Sequence, residues 1–113
     1  MLLYTSYFAK SASHPRAKSI ARFSPKWYTG PSYLPVAPAW DLVKGIKNGT
    51  ITKEQYTEAY HYHLDSLGEQ KVLAGLQDGD VLLCYERPGD FCHRHILAEW
   101  LNDKGHTVIE MEV

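Results

Sequence analysis

Val81-Leu82-Leu83-Cys84-Tyr85 is an unbroken apolar run between Asp78-Gly79-Asp80 and Pro88-Gly89-Asp90. A strand with one face in water alternates apolar and polar residues. A run without alternation fits a strand covered on both faces, as in a parallel sheet flanked by helices. Asp90 stands where an N-cap would open a helix from about Phe91 to Lys104, in which Ile96, Leu97, Trp100 and Leu101 recur at helical spacing as a buried stripe. Gly105 is placed to supply a left-handed exit, and Thr107 to Val113 reads as the next strand. Strand, helix and strand in this order predict a βαβ crossover, right-handed because strand twist leaves almost no other packing.

Working outward, Thr52 and Gln55 form a capping-box pattern ahead of Tyr56, Ala59, Tyr60, His63, Leu64 and Leu67, the clearest amphipathic helix in the chain. Gly68 closes it, and Val72, Leu73 and Leu76 suggest a shorter helix after it. Pro38 opens a helix carrying Trp40, Val43 and Ile46, which Asn48-Gly49 ends. The segment 24–40 holds Pro25, Pro31, Pro35 and Pro38 with Gly30 among them, so neither helix nor central strand persists there. Its Trp27, Tyr28, Tyr33, Leu34 and Trp40 carry more apolar area than a disordered linker would hold, which predicts an ordered loop folded over the core. Leu2 to Phe8 and Ser19 to Phe23 read as two further strands. The sum is one α/β domain over 1–113, a small open, mostly parallel sheet with flanking helices that ends in the βαβ unit.

Composition narrows the function. A chain of 113 residues fits one domain and buries about two thirds of its unfolded surface, so it needs neither disulfides nor a structural metal, and a disulfide miniprotein is excluded. Twelve Lys and Arg against thirteen Asp and Glu give a net charge of −1, which argues against nonspecific coating of nucleic acid. No apolar stretch approaches the roughly 20 residues a membrane helix needs. Met1-Leu2-Leu3-Tyr4 has no charged leader ahead of an extended apolar region, so a cytoplasmic, reducing setting is expected.

In an open α/β sheet the carboxyl end of a strand and the amino end of the next helix share a crevice, the usual ligand position. Here that junction runs from Cys84 to His95 and is rich in reactive side chains. Cys84 and Glu86 share one face of the strand. Cys92, His93 and Arg94 fall in the first helical turn, where unpaired N–H groups and the dipole favour an anion. Arg94 and Arg87 would add bidentate donors, and the same field would favour a thiolate at Cys92. Each residue also has an ordinary reading: Cys84 as a small buried pocket wall, Cys92 as an unreactive helix start, His93 as packing beside Ile96 and Leu97, Arg94 as the partner of Asp90 or Glu86.

Three enzyme patterns can be set against the junction. A cysteine phosphatase needs an arginine six residues after its nucleophile, and from Cys84 that position is Asp90. A zinc site could draw on Cys84, Cys92, His93 and His95, but paired close-spaced ligands at both ends are missing, so no metal is assigned and no cofactor is called for. A Cys92 nucleophile would need its base from elsewhere in the fold. Ahead of the junction, Arg22, Lys26, Trp27 and Tyr28 set cations beside aromatic faces, which suits a flat ring; the alternative is that Trp27 covers the sheet.

Cys84-Tyr85-Glu86 followed by Cys92-His93-Arg94 and a helix through Leu97, Ala98 and Leu101 resembles the closing signature of domain-of-unknown-function family 488. Ile20-Ala21-Arg22 with Pro25, and Trp27 before Gly30, resemble its short-form members, so the likeness runs from about Ser19 to Val113. The resemblance implies a small α/β fold and a pocket on Arg22, Cys84, Glu86, Cys92, His93 and Arg94, with no settled reaction. Longer members often carry Val-Asp-x-Arg where this chain has Ile20-Ala21-Arg22, so an acid–base Asp has no counterpart here.

The expectation is a crevice between the Arg22 loop and the Cys84 to Arg94 junction that binds a small anionic molecule of the nucleotide or nucleoside class. Arg22 and Arg94 would hold the anion, Trp27 or Tyr28 would stack on the ring, and Glu86 would accept from a hydroxyl or amine. If the ligand is transformed, Glu86 or Cys92 is the group expected to act. The alternative is a nucleic-acid or protein interaction module using the basic and aromatic segment Arg16 to Tyr28. A homo-oligomer is compatible with the many Tyr and Trp residues, since these bury in interfaces as well as in cores.

Overall fold

The computed structural model describes residues 1–111. Four strands, β1 (Leu2–Tyr7), β2 (Ala17–Ser19), β3 (Val81–Cys84) and β4 (Thr107–Glu110), form one all-parallel sheet in the order β2-β3-β1-β4. Five helices flank it: α1 (Phe8–Ser11), α2 (Trp40–Asn48), α3 (Lys53–Leu67), α4 (Glu69–Leu73) and α5 (His93–Asp103). The fold is thus a small open α/β sheet, with β3, α5 and β4 as its closing unit. β1 lies between β3 and β4, pairing Tyr7 with Cys84 on one side and Leu2 with Thr107 on the other, so the crossover spans a strand contributed by the start of the chain.

β3 is buried along its whole length because both faces are covered. On one face Leu82 packs with Leu3, Ile20 and Val108 against Tyr60, Leu64, Val72, Leu97 and Leu101 of the helices. On the other, Val81 and Leu83 pack with Phe8 and Ala17 beneath α1 and Tyr28. Each fully buried Leu or Val contributes roughly 1.5–3 kcal/mol relative to exposure, enough to fix the register of so short a strand.

Some helix signals hold in detail, while Pro38 lies one residue ahead of Ala39, the N-cap of α2, instead of opening that helix. Thr52 Oγ1 accepts from the Gln55 N–H and Gln55 Oε1 from the Thr52 N–H, the reciprocal capping box. Gly49 ends α2 in the left-handed region at φ 79°. The proline-rich loop is ordered over the core: Val36 is fully buried, Tyr60 Oη donates to its carbonyl at 2.6 Å, and Tyr33 Oη donates to the carbonyl of Val72 at 2.9 Å.

Some boundaries are corrected. β2 spans Ala17–Ser19 rather than Ser19 to Phe23, because Ser19 turns its backbone to the loop, donating to the Pro31 carbonyl and accepting from the Tyr33 N–H. Phe8 begins α1 instead of ending β1. α5 starts at His93 with Cys92 as N-cap, not Asp90, since the Asp90 N–H closes a turn onto the Arg87 carbonyl around Gly89 at φ 88°. Of the expected final strand, Thr107–Glu110 is observed, and Glu112 and Val113 lie outside the described residues. No described helix is long and apolar enough to cross a membrane.

Candidate functional site

At the carboxyl end of β3 the sheet opens into a cavity of about 290 Å³. One wall is the β3–α5 junction, with Cys84, Tyr85, Glu86 and His93. The Arg22 loop contributes Ala21, Arg22, Phe23 and Pro38, and the helices contribute Trp40, Val43, Ile46, Lys47 and Tyr56. The stripe Trp40, Val43 and Ile46, legible in sequence as the apolar face of α2, is therefore the cavity wall. Phe23 and Trp40 meet edge to face at 5.3 Å yet remain 61% and 46% exposed, a rim of large rings that packing leaves uncovered.

Polar groups are distributed unevenly around this wall. Arg22 Nε donates to the Pro38 carbonyl at 2.9 Å and Nη2 to the Ala37 carbonyl at 3.3 Å, which holds the guanidinium at the cavity while Nη1 has no partner among the described residues. His93 is buried and Nε2 lies 2.8 Å from the Ile20 carbonyl, so the proton sits on Nε2 and Nδ1 carries a lone pair. Burial lowers the His93 pKa to about 4; the Ile20 carbonyl opposes this, while the positive charge of Arg94 and of protonated His95 adds to it. The imidazole is neutral at physiological pH. Burial, reinforced by the Glu86 charge, pushes the Tyr56 phenol well above its ordinary range, so it stays a neutral hydroxyl.

Arg94 does not line the cavity, contrary to the expectation that it grips an anion there. Its side chain is fully buried and points towards β4: Nε and Nη2 donate to Glu110 at 3.0 and 2.7 Å, and Nη1 donates to the Glu86 carbonyl at 2.6 Å and to Cys84 Sγ at 2.9 Å. A guanidinium facing an acceptor of opposite charge, a carbonyl and a sulfur is already satisfied. The carboxylate is Glu110 on β4, and neither Asp90 nor Glu86 serves that part. Burial raises the Glu110 pKa, but hydrogen bonds from Arg94 and Thr5 outweigh it and the net shift is downward.

Cys92 is not a free thiol, and Cys84 is not merely a wall: the two sulfurs, the only ones from cysteine in the chain, are joined as a disulfide. The physical reason is the loop 85–91, which folds back so that the end of β3 and the start of α5 face each other. His93 Nδ1 lies 3.7 Å from Cys92 Sγ. The ligating atoms of Cys84, Cys92 and His93 fall within 4.8 Å of one another, but while the sulfurs are bonded to each other they are not available to a cation.

The other expected residues lie elsewhere. Trp27 and Tyr28 pack edge-on against Phe8, at 6.4 and 5.2 Å, over the opposite face of the sheet and are not among the lining residues; the rings that line the cavity are Phe23, Trp40, Tyr56 and Tyr85, of which Tyr85 also meets Phe8 edge-on at 5.0 Å. Lys26 and Arg87 are exposed and are not among the lining residues. Arg16 and Lys18 are both paired with Asp80, at 2.9 and 2.6 Å, so one carboxylate offsets part of the positive charge of the segment Arg16 to Tyr28. Tyr56 was missed as a site residue because the spacing that marks a core stripe also marks a cavity wall, and Lys47, a charged residue beside the α2 stripe, because it reads as a solvated side chain.

A family model, DUF488-N3a, described as the active DUF488-N3 subclade, matches residues 14–105. Comparison with curated proteins and with solved structures returned no match.

Proposed function

The chain belongs to the DUF488-N3a family, and from that premise we propose that its cavity binds a small anionic molecule of the nucleotide or nucleoside class. The observation that carries this reading is the union, in one cavity, of uncovered aromatic rings with two cations and one carboxylate: Phe23, Trp40 and Tyr85 beside Arg22, Lys47 and Glu86. Such a cavity at the carboxyl end of parallel strands is where α/β sheets take ligands. In this reading the base lies against Trp40, the anionic group meets Arg22 and Lys47, and Glu86 accepts from a ribose hydroxyl or an amine. Whether the ligand is transformed turns on Glu86, the exposed acid of the set; the description of the subclade as active favours turnover. A cytoplasmic setting goes with this proposal, since nucleotides are abundant there.

A thermal-shift titration with adenosine monophosphate, adenosine and inorganic phosphate tests it. At about 100 times Kd a ligand adds roughly 2.7 kcal/mol to stability, a rise of several degrees in Tm. Adenosine monophosphate should produce it and inorganic phosphate should not. An unchanged Tm with all three, together with salt-sensitive binding to a short oligonucleotide, would instead favour the interaction-module reading.

A further inference from the structure

We infer that Cys84 and Cys92 form a redox-active pair at the floor of the cavity, exchanging with low-molecular-weight thiols and disulfides that enter through it. The pair differs from a structural bridge in three respects. Both residues are almost wholly buried, but Cys84 lines the cavity whereas Cys92, the N-cap of α5, is not among its lining residues, so the cavity leads to the Cys84 end of the pair. Arg94 Nη1 lies 2.9 Å from Cys84 Sγ, and a permanent positive charge there favours the thiolate once the bond opens. Glu110 holds that guanidinium in place from the far side. His93 Nδ1, unprotonated because Nε2 serves Ile20, stands 3.7 Å from Cys92 Sγ as the acceptor for its S–H. The two sulfurs thus have distinct environments, one suited to a thiolate and the other to a thiol.

The chemistry balances with a small disulfide RSSR as oxidant. The Cys84 thiolate attacks one sulfur of RSSR, forming a Cys84–S–SR mixed disulfide and releasing RS⁻. Cys92, its S–H oriented by His93 Nδ1, then attacks Cys84 Sγ; the Cys84–SR bond breaks and the departing RS⁻ takes up the Cys92 proton. With the first thiolate protonated by water, the reduced protein and RSSR yield the oxidised protein and two RSH, and excess RSH drives the reverse. The inference stands on the sulfur pair and its neighbours, independently of the nucleotide reading.

The test uses the full chain, reduced and desalted, with hydroxyethyl disulfide as probe and intact mass as readout. Wild type should lose two hydrogens and carry no adduct. Cys92→Ser should retain one mercaptoethanol adduct on Cys84, and Cys84→Ser should form at least about tenfold less adduct on Cys92. Both substitutions are small and leave Arg94 in place, so folding, checked by circular dichroism, is expected to persist. Three results would overturn the inference: a bridge that mercaptoethanol opens only in denaturant, adducts formed equally in both variants, or one zinc ion per chain in the reduced wild type by elemental analysis.

Discussion

On the β1 and β4 side of Cys84, Arg94 is wholly buried and meets Glu110, the Glu86 carbonyl and Cys84 Sγ. On the β2 side, Arg22 leans on two loop carbonyls and lines the cavity, with no partner for Nη1 among the described residues. Both guanidiniums approach the end of one strand from a polar loop or first helical turn, and in sequence Arg94 looks the better anion ligand. The difference lies in what the sheet brings to each. β4 carries a carboxylate to Arg94, whereas the proline-rich loop, rich in carbonyls and poor in side-chain acids, leaves Arg22 held but not neutralised. An arginine's role follows from the charge placed opposite it more than from its own position on a helix.

Arg94→Ala should separate the two arginines most strongly. Removing one member of a buried pair leaves Glu110 without its partner, and the loss of unfolding free energy should be about 3 kcal/mol or more by urea denaturation. Arg22→Ala should cost under about 1 kcal/mol in the same assay, and similar losses for the two variants would erase the distinction.

Next in size is a pH effect centred on His93, which closes the cavity from the buried side. Its folded pKa, near 4, is below the ordinary 6.5, so the unfolded chain binds more protons in between. Stability contributed by the neutral ring is therefore complete above about pH 6.5 and lost as pH falls towards 4, by about 3 kcal/mol. Glu110, also depressed, extends the loss below the ordinary carboxylate range. His93→Gln keeps a donor for the Ile20 carbonyl and should flatten the upper window; an unaltered pH profile would mean the ring is not shielded.

The smallest effect distinguishes the two faces of the sheet. Arg22→Ala should weaken adenosine monophosphate about tenfold, the scale of one charge-assisted hydrogen bond, by isothermal titration. Trp27→Ala, on the Phe8 side, should leave that affinity unchanged within about twofold, even though Trp27 is as exposed as Phe23. A loss at Trp27 would move the ligand to the opposite face.

Much of the fold was legible because its signals are local. The apolar run of β3, the Thr52 and Gln55 box, Gly49 and Gly105 each depend on neighbours within a few residues. The site was legible in part: Arg22, Cys84, Glu86 and His93 were expected at one crevice and do line one cavity. Trp40 and Tyr56 were not, because a helical stripe reads the same whether it faces a core or a hollow, and Lys47 was not, because a lone lysine on a helix reads as solvated. Trp27 and Tyr28 were expected beside Arg22, but the turn that follows β2 sends them to the other side of the sheet.

Local patterns were enough for the alternation of strands and helices, the Thr52 and Gly49 caps and the crevice at the end of β3, since these follow from periodicity and backbone preference over short distances. Only the tertiary structure decided that β1 sits between β3 and β4, that Glu110 claims Arg94 and that the two cysteines meet. Those outcomes join residues far apart in the chain or across a folded loop, and which partner arrives is set by packing of the whole sheet, which no local pattern encodes.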